Sequence, residues 1–184
     1  DMGIEIGGNR PLIAYIPCGV GGAPGGIAFG LRLLFGDDAH VFFVEPTQAP
    51  CMLLGMASGL NNKICVQDVG LTGLTHADGL AVSRPSGFVG GVMKTLLAGE
   101  MTVEDYKLYD YMRALLDTEG IFIEPSSCAA FEGPVKLCSR EGEEYIRRHG
   151  FEDKMQNAIH IPWATGGRLV PEEIRKEYMS TYLK

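Results

Sequence analysis

The chain has 184 residues, 46% of them hydrophobic and 21% charged, with a formal net charge of -7, values that fit a domain with a substantial core. The negative balance and the lack of any Lys/Arg cluster argue against nucleic acid or an anionic membrane surface as a partner, and the apolar runs fall well short of the roughly 20 residues that a membrane span needs. Five cysteines, Cys18, Cys51, Cys65, Cys128 and Cys138, form no CxxC pair and point to reduced thiols in a cytoplasm rather than a disulfide framework or a zinc site.

The opening, Asp1 to Asn9, has neither an initiator methionine nor a signal peptide and reads as the continuation of something earlier. Leu12 to Ile16 is an apolar run of strand length. It feeds a loop, Pro17 to Gly26, with five glycines among residues 19 to 26, and an apolar run of helical length, Ile27 to Phe35, leaves it. His40 to Val44 is a second strand, with Glu45 and Pro46 at its carboxyl end. Cys51 to Gly59 is a short helix stopped by its glycine. Asn61-Asn62 is a turn, and Lys63 to Val66 is a weak strand. Gly70 to Gly91 is loop-like around Ala77-Asp78-Gly79-Leu80-Ala81-Val82, and Phe88 to Leu97 is helical.

Thr102 reads as the N-cap of a helix over Val103 to Asp117, with apolar positions at Tyr106, Tyr109, Met112, Leu115 and Leu116. Gly120 ends it, and Ile121 to Pro125 is a third short strand. Ser126 caps a helix to about Leu137, and a charged helix follows from Arg140 to His149. Ala158 to Trp163 is a fourth strand, leading into Ala164-Thr165-Gly166-Gly167. A last helix begins at Pro171, with Glu172 and Glu173 in its first turn. Short strands alternating with helices predict an α/β fold with a mainly parallel sheet and helices on both faces. In such sheets ligands sit beyond the carboxyl ends of the strands, where the glycine loop, Glu45, Glu124 and Thr165 all fall.

The glycine loop has a clear physical use. Glycine permits positive φ and close approach to the main chain, so successive N–H groups can converge, and the helix that follows adds its own unpaired amides and positive dipole end. Together these form a seat for an anion, most often a phosphate. No Lys-Ser or Lys-Thr follows the glycines, which excludes the triphosphate loop. The dinucleotide pattern is met only by Gly19 and Gly21, since its third small residue falls on Pro24. A dinucleotide or phosphate module stays open at this point, because Glu45 lies near the distance at which an acid would hold a ribose.

Four separated motifs carry a more specific resemblance. Pro17 to Gly26, Glu45-Pro46-Thr47 with Pro50-Cys51-Met52, Ala77 to Val82, and Trp163 to Gly167 with Val170-Pro171-Glu172-Glu173 are similar, in order and over essentially the whole chain, to the bacterial D-serine dehydratase (D-serine ammonia-lyase) family. These are pyridoxal-phosphate enzymes of the tryptophan-synthase-β-like fold, fold type II. The resemblance implies dehydration and deamination of a small amino-acid substrate, D-serine, to pyruvate and ammonia. It places the phosphate-binding loop on Gly19, Val20, Gly21, Gly22 and Ala23, where the family usually has glycine at the last position, so that the Ala23 methyl requires a negative φ. It sets Thr165 against the cofactor's pyridine nitrogen and Gly79 and Glu124 along the ring and substrate pocket. Glu45 and the carbonyl of Ala49 occupy positions that bind a monovalent or divalent cation in some relatives, which carry an acid where this chain has Cys51. Other enzymes of the same fold, such as threonine deaminase, diaminopropionate ammonia-lyase or a cysteine-making synthase, share the loop and remain alternatives.

In this family the lysine that carries the cofactor belongs to a Ser-x-Lys-x-Arg-Gly motif far before the glycine loop. None of Lys63, Lys94, Lys107, Lys136, Lys154, Lys176 and Lys184 has that context. The resemblance therefore implies the C-terminal part of the enzyme's large domain, without its lysine-bearing N-terminal part and inactive alone. Taken singly, several of these residues have plainer explanations: Thr165 as a turn residue, Glu124 as a solvated strand end, Asp78-Gly79 as a turn, Cys18 as a small core residue. His40, His76, His149 and His160 show no spacing that suggests a metal or a triad.

Overall fold

The computed structural model describes residues 3–183; Asp1 at the head of the opening segment and Lys184 of the lysine set lie outside them. The described elements are β1 (Leu12–Pro17), α1 (Gly22–Phe35), β2 (Ala39–Pro46), α2 (Cys51–Ser58), α3 (Gly87–Met93), β3 (Gly99–Val103), α4 (Asp105–Glu119), α5 (Pro125–Cys128), α6 (Glu132–Leu137), α7 (Arg140–Arg148), β4 (Ile159–Pro162) and α8 (Glu172–Ser180). Among the described residues the strands form one sheet of order β3-β2-β1-β4, parallel throughout, with Leu12 opposite both Ala39 and Ile159 and Phe42 opposite Gly99.

Every residue of β1 and β2 is buried, as a central parallel strand covered on both faces requires. Alternation along the strands separates two cores. Ile13, Tyr15, Phe42 and Val44 face Leu108, Tyr109 and Met112 of α4, Cys128 of α5 and Leu137 of α6. Ala14, Ile16, Val41 and Phe43 face Ala28 of α1, Met52 of α2 and Val89 and Met93 of α3. The predicted α/β sheet with helices on both faces is thus observed.

The topology decides where a ligand can sit. From β1 the chain steps to β2 and then β3 on one side, then crosses back to place β4 on the other side of β1. The chain beyond β1 enters α1 over one face, whereas the chain beyond β4 leads to α8, whose Tyr178 and Met179 pack on the opposite core. That is a topological switch point, the place outside the carboxyl ends of the strands where open α/β sheets bind their ligands.

Several expected elements are corrected. The helix after the glycine loop begins at Gly22 rather than Ile27, because Pro24 sits in the first turn, where a missing N–H costs no bond. Lys63 to Val66 is not a strand but the junction of two 3-10 turns, Asn61–Lys63 and Val66–Val69. Thr102 does not cap a helix; it lies in β3 opposite Glu45, and α4 starts after Glu104. Ile121 to Pro125 is outside the sheet, its one cross-link of strand type among the described residues being Glu124 N–H to Gly166 O (3.2 Å). Ser126 does not cap the following helix, which has Glu124 at its N-cap and breaks into α5, a 3-10 turn and α6.

Three histidines fasten elements to tyrosines: His40 Nδ1 lies 2.6 Å from Tyr145 Oη, His76 Nδ1 2.9 Å from Tyr109 Oη, and His160 Nδ1 2.9 Å from Tyr15 Oη.

Candidate cofactor site at the switch point

The glycine loop is built from the inside outwards by its carbonyls. The Gly19 carbonyl accepts from the thiols of Cys18 (3.5 Å) and Cys51 (3.4 Å), the Val20 carbonyl from Ser86 N–H (2.9 Å), and the Gly21 carbonyl from Gly25 N–H (2.8 Å). Burial, with the Glu45 carboxyl nearby, keeps both thiols protonated and able to donate: it pushes Cys18 well above its ordinary range and Cys51 up to about 12. In a trans peptide the N–H points opposite to the C=O. With three successive carbonyls held inward, the amides of Val20, Gly21 and Gly22 face the other way. The amides of Gly19, Val20 and Gly21 have no acceptor among the described residues, and those of Gly22 and Ala23 open α1, where no intrahelical partner exists. Val20, Gly22 and Ala23 are exposed.

Glycine is required at position 21. Its φ is +104°, and a Cβ there would stand 2.2 Å from Met52 Cε. Ala23 lies within α1 and is not among the residues with positive φ, so its methyl is accommodated. No side chain caps α1, and its first turn holds no acid. The amides and the dipole end are therefore free for an anion from outside.

The opposite wall comes from three segments tied together. A Cβ on Gly19 would meet Val82 Cγ2 at 3.2 Å and Gly79 O at 3.3 Å, so the loop lies against the 79–82 segment. Gly79 N–H donates to Ser126 Oγ (3.1 Å). Ser127 Oγ lies 2.9 Å from Thr165 Oγ1, 3.2 Å from Thr165 N, 2.7 Å from Gly166 N and 3.0 Å from Gly166 O. Glu124 lies over Gly166, whose added Cβ would come within 2.7 Å of Glu124 Oε1. Gly19, Gly79, Glu124 and Thr165 are thus linked through a short relay of contacts. Ser126 and Ser127 had no place in the sequence-based site. The signal was a serine pair at a helix start already opened by Glu124-Pro125, where two caps are one too many.

Glu45 stands apart from this crevice. It is fully buried, Oε1 accepting from Met52 N–H and Oε2 from Leu53 N–H, both at 2.8 Å. It serves as an internal anion for the start of α2. Fully buried and turned to the start of α2, this carboxylate is out of reach of a ribose, which argues against the dinucleotide alternative. An ion at Glu45 would have to displace the two amides, and among the described residues no group of three His, Cys, Asp or Glu is placed to hold a metal. The Glu100 carboxyl neighbours Glu45, and its buried Oε2 has no hydrogen-bond partner among the described residues. Burial, the largest cause, and the neighbouring carboxyl raise Glu100 above the ordinary carboxylate range, so the pair shares a proton.

Residues 1–145 match the model of a family described as pyridoxal-phosphate dependent enzyme. The chain belongs to that family of pyridoxal-phosphate-dependent enzymes. A protein of Fusobacterium nucleatum named as a probable D-serine dehydratase is 56% identical over 182 residues, 99% of this chain and 41% of the relative. A Bacillus cereus protein of the same description is 49% identical over 97% of this chain and 40% of its own length. The chain therefore spans about two fifths of these relatives.

The fold is that of fold type II pyridoxal-phosphate enzymes. Diaminopropionate ammonia lyase from Escherichia coli superposes with a TM-score of 0.66 at 16% identity, over 97% of this chain and 43% of that one. A fungal L-serine ammonia-lyase from Rhizomucor miehei gives 0.65 at 18%, over 95% and 51%. The residues present fit the family's cofactor: outward amides and a helix start for its phosphate, and a neutral hydroxyl on the facing wall for its ring.

Proposed function

We propose that the chain is the C-terminal part of the large, cofactor-binding domain of a cytoplasmic D-serine dehydratase, which converts D-serine to pyruvate and ammonia. The observation that carries this reading is the 56% identity along 99% of the chain to a relative so described, against 16–18% for the ammonia-lyases that share the fold.

In the proposed enzyme the amides of Gly19, Val20, Gly21, Gly22 and Ala23 hold the cofactor phosphate, Thr165 meets the ring nitrogen, and Gly79 and Glu124 line the ring and substrate pocket. When bound, pyridoxal phosphate withdraws electrons from the substrate's α-carbon, which eases loss of the α-proton and then of the β-hydroxyl. A hydroxyl, unlike a carboxylate, does not hold a proton on the ring nitrogen. The electron withdrawal is then weaker, which suits an elimination whose carbanion is short-lived.

The lysine that carries the cofactor and moves the α-proton is assigned to the part of the longer enzyme not represented in these 184 residues. Three of the seven lysines are in ion pairs, Lys107 and Lys136 with the buried Glu132 and Lys176 with Glu172, which fits that assignment. Phe29 and Phe88 are about half and four fifths exposed and line an apolar groove of about 560 Å³ beside the loop, a surface that suits cover by that missing part.

Absorbance spectra of the full-length protein and of this chain, each mixed with pyridoxal phosphate, test the reading. A lysine-bound cofactor band is expected in the full-length protein alone, with pyruvate formed from D-serine faster than pyruvate from L-serine or diaminopropionate or 2-oxobutyrate from L-threonine. No band in either would overturn the cofactor assignment, a preference for another substrate would move the enzyme elsewhere in the fold type II group, and pyruvate from this chain alone would refute the missing lysine. If Glu45 serves only α2, K⁺ and Mg²⁺ leave the melting temperature unchanged.

A further inference from the structure

Ser127 is fully buried, and its hydroxyl has four polar neighbours within 3.2 Å: Thr165 N, Gly166 N, Gly166 O and Thr165 Oγ1. A hydroxyl can satisfy three, with one proton to give and two lone pairs to receive. The two backbone amides are obligate donors and occupy both lone pairs. The single Ser127 proton then goes to Gly166 O or to Thr165 Oγ1.

Either assignment has the same consequence for Thr165. Its own proton cannot go to Ser127, which has no lone pair left. Thr165 Oγ1 (2.9 Å) is the nearer of the two acceptors open to the Ser127 proton, Gly166 O standing at 3.0 Å. Thr165 is exposed and lies just beyond the carboxyl end of β4, the sheet edge from which the glycine loop also leaves. We propose that Ser127 is a positioning residue that fixes the Thr165 hydroxyl as a hydrogen-bond donor directed out into the crevice, so that it meets a ring nitrogen carrying a lone pair and no proton. This rests on the cofactor reading above and adds to it the residue that sets the direction of the bond.

The same serine holds the chain in place. By accepting from Thr165 N and Gly166 N it fixes the backbone from which the Thr165 side chain projects. Gly167, next along, has a φ of +139°, and an added Cβ would stand 2.5 Å from Ile123 Cα. Thr165 is thus clamped from both sides against the 123–127 segment, and its hydroxyl position is set by backbone as well as by side chain.

The test uses the full-length protein loaded with pyridoxal phosphate labelled with ¹⁵N in the ring. A lysine-bound absorbance band in the wild type is the condition for the cofactor reading itself, and its absence would sink that reading without bearing on Ser127. With the band present, the ring ¹⁵N shift of the wild type is expected in the range of an unprotonated, hydrogen-bonded pyridine. Thr165→Val, at an exposed site that does not threaten the fold, should move it to that of an unprotonated nitrogen without a donor. Ser127→Ala should move the shift part of the way and weaken cofactor binding about tenfold, whereas in the Thr165→Val background it should leave the shift unaltered.

A protonated ring nitrogen in the wild type would overturn the proposal. So would a wild-type shift that Ser127→Ala leaves unchanged, or an effect of that variant on the shift that persists in the Thr165→Val background. Should Ser127→Ala not fold, the shifts of the wild type and Thr165→Val still decide the direction of the hydroxyl, and Ser127→Cys, which keeps a weak donor and acceptor, is expected to fall between the wild type and Thr165→Val.

Discussion

Two helices start at the carboxyl edge of the sheet, and they treat their first amides in opposite ways. At the end of β2, α2 is met by Glu45, fully buried, with one carboxylate oxygen on Met52 N–H and the other on Leu53 N–H. At the end of β1, α1 has glycine at its N-cap, no side-chain cap and no acid in its first turn. The first helix start is neutralised by the protein itself. The second has its carbonyls anchored inward and its amides turned out, and it needs an anion from elsewhere. The difference supports the proposed phosphate seat: in one sheet, under one set of physical rules, the helix without an internal anion is the one open to a ligand.

The largest effect that would break this comparison is at Gly21. Gly21→Ala forces a Cβ at a φ of +104° and against Met52 Cε, and should cost roughly 2–4 kcal/mol in urea unfolding together with phosphate binding. Gly22, one residue on, has open space where its Cβ would be and is not among the glycines with positive φ. Gly22→Ala should therefore change stability by less than about 0.5 kcal/mol, so the same substitution one position apart separates strain from mere flexibility.

Next in size is the internal anion. Glu45→Ala leaves two buried amides without an acceptor and should destabilise the protein by roughly 2–3 kcal/mol, with hydrogen exchange accelerated at Met52 and Leu53 and the outward amides of α1 unaffected.

Glu100→Gln sharpens the same point through pH. Burial raises the Glu100 carboxyl above its unfolded value, so the folded state binds more protons and stability falls as pH rises above the unfolded carboxylate range. Removing the ionisable group should therefore stabilise the protein increasingly between pH 5 and pH 8, by on the order of 1–2 kcal/mol at the upper end; a melting-temperature difference that is flat across that range would contradict a shared proton. A smaller effect than those at Gly21, Glu45 and Glu100 is expected at Cys51. Cys51→Ala removes one of the two thiols on the Gly19 carbonyl and should lower cofactor affinity about threefold, at about 1 kcal/mol or less in stability.

The strands that are buried along their whole length, β1 and β2, were legible because a central parallel strand is covered on both faces and carries a continuous hydrophobic run, Leu12 to Ile16 and Val41 to Val44. β3 was not: Gly99, Glu100 and Thr102 have no apolar pattern, and the segment is a strand because β2 offers it a free edge. Conversely, Ile121 to Ile123 has the composition of a strand and stays outside the sheet, where Glu124 joins Gly166 instead. Glu45 was visible as an acid at a strand end, but its role was not, since only the packing of α2 over β2 brings Met52 N–H and Leu53 N–H to it. Ser127 and Thr165 lie 38 positions apart, a pairing to which no local pattern points.

What the sequence determined by itself was local. Five glycines between two apolar runs compel a flexible turn into a helix, and the alternation of strands and helices compels a parallel sheet, because each depends on backbone freedom and on burial of neighbouring side chains. The tertiary structure decided the rest. The strand order β3-β2-β1-β4 set the glycine loop and Thr165 at one switch point, and the burial of Glu45 under α2 satisfied one helix start and left the other open. Those outcomes depend on which distant groups meet, and hydrogen-bond partners across a fold are chosen by packing rather than by any residue's own preference.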